Sequence, residues 1–110
     1  MKVVEKDKLV DGMLREELER CRGMVSSLEQ EISRLPKGSL HVRKKQYKKK
    51  RYQYYYLKYR EGGESVSRHV PAPQLDALKK ELDKRRDIGK EIKAYRDRIK
   101  YLEKILGLKA

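Results

Sequence analysis

The sequence lacks the features that mark membrane, secreted and disulfide-stabilised proteins. No stretch approaches the roughly 18 consecutive apolar residues that a transmembrane helix needs, and the polar segment from Met1 to Lys8 contains no signal-peptide core. The only cysteine, Cys21, has no partner for an intrachain disulfide. We therefore expect a cytoplasmic protein that makes no membrane contact.

Residue sets that support catalysis or bind a cofactor are also missing. His41 and His69 stand apart from other metal-ligating side chains, so we expect no metal site. A nucleophile beside a base, paired carboxylates and a phosphate-cradling glycine loop are all absent, since Gly62-Gly63 is typical of a hairpin turn. The expectation is a protein that is not an enzyme and has no cofactor and no small-molecule substrate.

Positive charge is abundant and unevenly distributed. Of the 110 residues 43% are charged, and the net charge is +13. Residues 36–73 carry 11 basic and 2 acidic side chains, a net charge of +9. Such clustering is typical of a protein that binds a polyanion, because neutralised phosphates release their counterions. The alternative interpretation is a solvated face that keeps the protein in solution.

The first third of the chain predicts a long helix over about residues 8–35. Asp11 is the expected N-cap residue, and Pro36 followed by Gly38 ends the helix. The apolar residues alternate at spacings of four and three, as in a heptad seam. These residues are Leu14, Leu18, Cys21, Val25, Leu28, Ile32 and Leu35.

The last third predicts a second helix over about residues 74–106. Pro73 suits its first position and Gly107 its C-terminal cap. Arg85 interrupts the seam with two successive spacings of three, which overwind a coiled coil locally. The seam consists of Leu75, Leu78, Leu82, Arg85, Ile88, Ile92, Tyr95, Ile99, Leu102 and Leu106.

The middle segment predicts a three-stranded β-meander. Its turns are expected at Lys48–Arg51, with Tyr47 opposite Tyr52, and at Gly62-Gly63. Strand alternation then places an apolar set on one face, facing the helices: Leu40, Val42, Tyr55, Leu57, Tyr59, Val66 and Val70. The opposite face, called the outward face below, collects basic residues, tyrosines, histidines and serines and no acidic residue.

These elements predict an α+β fold: a long antiparallel, coiled-coil-like helical hairpin with a three-stranded antiparallel β-meander at its tip. The segments 1–35, 36–73 and 74–110 form one domain in this interpretation. The second seam is longer than the first, so part of it would lack cover, which predicts a homodimer. The only residues left to cover that part would be Val3, Val4, Leu9 and Val10.

The outward face and its first turn are the predicted nucleic-acid-binding site, because tyrosine rings stack on bases while lysine and arginine contact phosphates. RNA and DNA both stay open, since a β-ribbon of this kind also fits a DNA major groove. The predicted site residues are His41, Arg43, Lys45, Tyr47, Lys48, Lys49, Lys50, Arg51, Tyr52, Tyr54, Tyr56, Lys58, Arg60 and His69.

Three stretches of the middle segment resemble a family of small uncharacterised proteins from bacteria, archaea and their phages. They are Leu35 to Leu40, Tyr54 to Gly63 and Ser67 to Val70. The resemblance implies a phage or mobile-element context, with no activity or site to transfer. It also implies a second hypothesis, a phage-encoded inhibitor of a CRISPR nuclease or another nucleoprotein machine. A third is a structural coiled-coil protein.

Overall fold

A computed structural model describes residues 7–108 of the chain. It contains two helices and one antiparallel sheet with strand order β1-β2-β3, so the predicted α+β class is confirmed. No helix among these residues is long and apolar enough to cross a membrane. The elements are α1 (Lys8–Ser33), β1 (Ser39–Tyr47), β2 (Lys50–Glu61), β3 (Glu64–Val70) and α2 (Ala72–Ile105).

The chain divides into two compact units. The helical unit contains residues 7–34 and 87–108, which are α1 and the C-terminal part of α2. The sheet unit contains residues 35–86, which are the three strands and the N-terminal part of α2.

The N-cap of α1 is Asp7, and the prediction of Asp11 for this role was wrong. The Asp7 carboxylate accepts hydrogen bonds from the backbone N–H groups of Leu9 (3.1 Å) and Val10 (3.2 Å). Asp11 lies one turn further along and pairs with Arg15 at 2.8 Å. The heptad seam begins only at Leu14, so its pattern did not show which of the two aspartates caps the helix.

The residues near each end of α2 explain where the helix begins and where it ends. It begins at Ala72, two residues earlier than predicted, because the absent N–H of Pro73 costs no hydrogen bond within a first turn. At the other end Gly107 has a φ of 71°, and its N–H donates to the Lys104 carbonyl at 3.2 Å. The next N–H, of Leu108, donates to the Glu103 carbonyl at 2.8 Å. These two bonds are a Schellman cap, which confirms the predicted end of the helix.

The core of the helical unit is made by the predicted seams. Leu18, Cys21, Leu102 and Leu106 form a buried cluster. Burial is the main cause that raises the pKa of the Cys21 thiol, with its 3.5 Å hydrogen bond to Glu17 adding to it. The cysteine is therefore a small apolar core residue.

The assumption behind the homodimer prediction was wrong. Leu102 and Leu106 are buried against Leu18 and Cys21 of the same chain, so this part of the seam has its cover. Leu9, one of the residues expected there, is 73% exposed. Val3 and Val4 lie outside the described residues. The homodimer itself stays a prediction.

An ion-pair network around Glu17 joins the two helices of this unit. Arg20 donates to both carboxylate oxygens of Glu17, at 2.6 and 2.9 Å, and Arg98 of α2 donates at 3.0 Å. The Arg20 hydrogen bonds are the main reason that the pKa of Glu17 falls to about 2, with Arg98 adding to the effect. The Arg20 guanidinium also lies 6.0 Å from the ring centroid of Tyr95.

The sheet unit has its own core. Leu57 is 2% exposed and forms a buried cluster with Val70 and Leu78. Arg85, which interrupts the predicted seam of α2, donates from Nη1 to the Leu35 carbonyl at 3.0 Å. A charged residue at this seam position therefore satisfies a backbone acceptor just before β1.

The predicted register of β1 on β2 was wrong by two residues. Tyr47 pairs with Lys50, so the turn contains only Lys48 and Lys49. Both lysines have positive φ, 46° and 65°, as a tight two-residue hairpin turn requires. The predicted hairpin turn at Gly62-Gly63 is confirmed, with Glu61 paired with Glu64 on either side of it.

We expect opposite effects from adding one methyl group at two glycines. Gly38 has a φ of 124°, and a Cβ there would lie 2.5 Å from the Lys58 carbonyl oxygen, whereas Gly23 lies within α1 with nothing within 4 Å. Gly38→Ala should lower the free energy of unfolding by more than about 1 kcal/mol. Gly23→Ala should raise it by up to about 1 kcal/mol. Urea denaturation followed by circular dichroism measures both, and a stabilising Gly38→Ala would contradict this backbone geometry.

The Glu17 network predicts a loss of stability in acid. The folded-state pKa of about 2 is below the ordinary value of 4.5, so this contribution is complete above pH 4.5 and is lost as the pH falls toward 2. Thermal melts from pH 7 to 2.5 should show a smaller acid-induced drop in Tm for Glu17→Gln than for the intact chain. Glu16→Gln, at the neighbouring exposed position, is the control and should retain the full drop. Identical profiles for all three proteins would refute this role of Glu17.

Candidate nucleic-acid interface

The alternation of side chains along β2 determines which residues lie on the outward face. Leu57 points toward α2, so Tyr54, Tyr56 and Lys58 belong to the opposite side of the pleat. The two-residue error in register left the faces unchanged, because side chains repeat with a period of two. Eleven predicted site residues share the outward face: His41, Arg43, Lys45, Tyr47, Lys50, Tyr52, Tyr54, Tyr56, Lys58, Arg60 and His69.

The other three predicted site residues lie elsewhere. Lys48 and Lys49 form the turn at the end of this face. Arg51 pairs with Gln46 and belongs to the opposite face, so the pleat separates it from the tyrosines. The prediction grouped it with the site as part of a longer turn, and the shorter turn makes it a strand residue.

A row of three aromatic residues crosses the sheet. His41 pairs with Tyr56, and Tyr56 pairs with His69. The rings of Tyr56 and His69 meet edge to face, with centroids 5.7 Å apart. Arg43 reaches diagonally from β1 until its guanidinium carbon lies 5.6 Å from the Tyr56 ring centroid. Tyr56 is therefore half-buried among its neighbours on the face.

The next rings continue this pattern toward the Lys48-Lys49 turn. Lys45 Nζ lies 5.8 Å from the Tyr54 ring centroid, and the rings of Tyr52 and Tyr54 stack at 6.3 Å with an interplanar angle of 27°. Tyr54 is half-buried in this arrangement, whereas Tyr52 is 39% exposed and Tyr47 is 63% exposed. Access to the tyrosine rings therefore increases toward the turn.

A smaller polar cluster occupies the Gly62-Gly63 end. Lys58 pairs with Ser67 and Arg60 with Ser65, so these four residues share the outward face. Two cations beside two hydroxyl groups are a suitable set of donors for phosphate oxygens. The strand alternation placed both serines on this face, but nothing in the sequence singled them out as ligands.

The electrostatic character of the face is uniformly positive. Its acidic neighbours, Glu61 and Glu64, pair with each other across the hairpin and belong to the opposite face. In residues 7–108, no group of three His, Cys, Asp or Glu side chains is placed to hold a metal ion. The arrangement thus combines exposed cations with aromatic rings, and these groups bind anions and planar ligands.

Sequence reasoning did not predict that cations lie over rings, although the predicted register set Arg43 opposite Tyr56 and Lys45 opposite Tyr54. Arg43 and Lys45 lie over Tyr56 and Tyr54, two residues along β2 from the tyrosines directly opposite them. Basic residues at alternate positions of one strand, facing tyrosines at alternate positions of the next, were the available signal. Arginine and lysine side chains are long enough to reach the diagonal neighbour on the next strand.

Fold and site together define a small α+β protein with a basic, aromatic sheet face. Residues 14–80 match the model of a protein family described as Domain of unknown function (DUF6788). Because the match covers more than half of the chain, the protein belongs to this family. No curated protein and no solved structure matches the chain.

Truncating one residue on each face of the sheet should distinguish side chains that stabilise the fold from side chains of the candidate interface. Leu57→Ala should lower the free energy of unfolding by roughly 2–5 kcal/mol, as for a buried leucine. Tyr52→Ala should lower it by less than about 1 kcal/mol, because its side chain is exposed and its ring stacks on Tyr54 of the same face. Urea unfolding curves give both values. Equal losses would mean that the outward tyrosines serve the fold.

Proposed function

We propose that the protein is a non-catalytic nucleic-acid-binding accessory protein that contacts RNA or DNA through its outward face. The observation that carries the proposal is the placement of Arg43 over the Tyr56 ring and of Lys45 over the Tyr54 ring, beside the stacked ring of Tyr52, with no acidic residue on that face. Its place of action in this proposal is the cytoplasm of a bacterial, archaeal or phage-infected cell.

Charge supports a polyanion as the ligand. Residues 36–73 carry 11 basic and 2 acidic side chains, and most of the basic ones are on the outward face or in its turn. Exposed like charges on one face repel one another, and a phosphate backbone removes this repulsion while it releases counterions. The helical unit contrasts with this face, since its arginines pair with acidic residues, as Arg96 does with Glu29.

The rings add a second kind of contact. A solubilising surface needs no row of aromatic side chains, whereas a nucleotide-binding surface uses them to stack on bases. Tyr52 and Tyr47 are exposed enough to offer ring surface directly. At Tyr54 and Tyr56 the cation over the ring is also a phosphate donor, so a nucleotide would engage both groups.

The proposal predicts tight, salt-dependent binding to a nucleic acid. Fluorescence anisotropy with labelled single-stranded RNA, single-stranded DNA and duplex DNA should give measurable affinity for at least one probe. The logarithm of the affinity should fall with the logarithm of the salt concentration at a slope of about −4 to −7, for about five to eight phosphate contacts. A slope near zero would contradict phosphate neutralisation.

Two variants that remove equal charge sharpen this experiment. Arg43→Gln with Lys45→Gln removes two cations from the outward face, and the slope should become shallower by about 1.4 to 1.8. Lys90→Gln with Lys100→Gln removes two cations from exposed positions of α2 in the helical unit and should leave the slope unchanged. Equal effects would indicate net charge, without a defined site.

Failure of the intact chain to bind all three probes would refute direct nucleic-acid binding. The inhibitor hypothesis would then become the leading one, because a nucleoprotein machine offers the same phosphates together with a protein surface. In that case the basic face would compete for guide RNA or target DNA only within the assembled complex.

A further inference from the structure

The turn between β1 and β2 has an unfavourable sequence for its backbone. Two-residue hairpin turns with positive φ at both positions strongly favour Asn-Gly or Gly-Gly, because a Cβ is strained there. The second turn of the same sheet follows this rule, with Gly62 and Gly63 at 57° and 83°. The first turn holds Lys48 at 46° and Lys49 at 65° instead. Local stability therefore does not explain two lysines at these positions.

The side chains around this turn include the most accessible tyrosines of the outward face. Tyr47 immediately precedes the turn and is 63% exposed, and Lys48 Nζ lies 5.5 Å from its ring centroid. Tyr52 lies on the same face, one diagonal step away in the register, and is 39% exposed. By contrast, Tyr54 and Tyr56 are half-buried beneath cations and neighbouring rings.

We infer that this hairpin end, formed by Tyr47, Lys48, Lys49 and Tyr52, binds an unpaired nucleotide. This inference rests on the proposed function and specifies its ligand as single-stranded nucleic acid. The exposed rings stack on the base, while the two lysines contact the phosphates on either side of it. The half-buried rings position Arg43 and Lys45, which hold the neighbouring phosphates.

Access to the faces of the bases favours a single-stranded ligand over a duplex. A tyrosine ring stacks on a base only where the face of that base is free, and in a duplex both faces are covered by neighbouring base pairs. A duplex would meet the lysines through its phosphates and leave the rings of Tyr47 and Tyr52 unused. Exposed rings directly beside exposed lysines therefore fit an unpaired nucleotide better.

The strained turn provides a test in which stability and binding change in opposite directions. Lys48→Asn with Lys49→Gly installs the favoured turn sequence, so Tm should rise by about 4 °C or more. The same variant should bind labelled single-stranded RNA or DNA more weakly, with a salt slope shallower by about 1.4, because two phosphate contacts are lost. The control with equal loss of charge is Lys90→Gln with Lys100→Gln.

The stacking contribution is tested with tyrosines of matched exposure. Tyr47→Ala and Tyr52→Ala should each weaken single-strand binding by about 5- to 150-fold with little change in slope. Tyr47→Phe and Tyr52→Phe retain the ring and should retain binding. Tyr101, which is also 63% exposed but lies in α2, provides the control Tyr101→Ala, with unchanged affinity expected.

The outcomes separate this inference from the proposed function. If the intact chain binds and the variant Lys48→Asn with Lys49→Gly, or Tyr47→Ala, binds equally well, the hairpin end is not the site, although the proposed function stands. Preference for duplex over single-stranded probes, or a lower Tm for Lys48→Asn with Lys49→Gly, would also overturn the inference. No binding by the intact chain to any probe would overturn both.

Discussion

Burial of Leu57 is the constraint on which the candidate interface depends. Its side chain is 2% exposed and packs with Val70 and Leu78 in the core of the sheet unit. Because successive side chains of a strand point to opposite faces, fixing Leu57 inward directs Tyr56 and Lys58 outward. Strand pairing extends this choice to β1 and β3, so one buried leucine orients the whole basic face.

The two units treat charge in different ways. In the helical unit, Glu17 accepts hydrogen bonds from arginines of both helices, and the attraction stabilises the pair of helices. Within residues 7–108, no ion pair joins Arg43 or Lys45 of the outward face to an acidic residue, and both side chains lie over tyrosine rings instead. A ring attracts a cation without neutralising it. The face therefore keeps its positive charge although its cations lie over rings.

Much of the fold and the membership of the face could be predicted because both depend on periodicity. Apolar spacings of three and four identified both seams, including the buried Leu18, Cys21 and Leu102. Alternation by two identified both faces of the meander, and Gly62-Gly63 and Gly107 marked a turn and a helix end. These signals are local, and each reflects burial or backbone freedom at individual positions.

The sequence by itself thus determined the elements, their buried sides and the residues of the outward face. Only the tertiary structure decided the β1–β2 register, because a shift of two residues preserves every face and leaves the hydrophobic pattern unchanged. It also decided that Arg85 donates to the Leu35 carbonyl, that Leu102 is covered within the chain, and that Tyr47 is more accessible than Tyr54. Each of these outcomes depends on contacts across a turn or between elements, which periodicity does not encode.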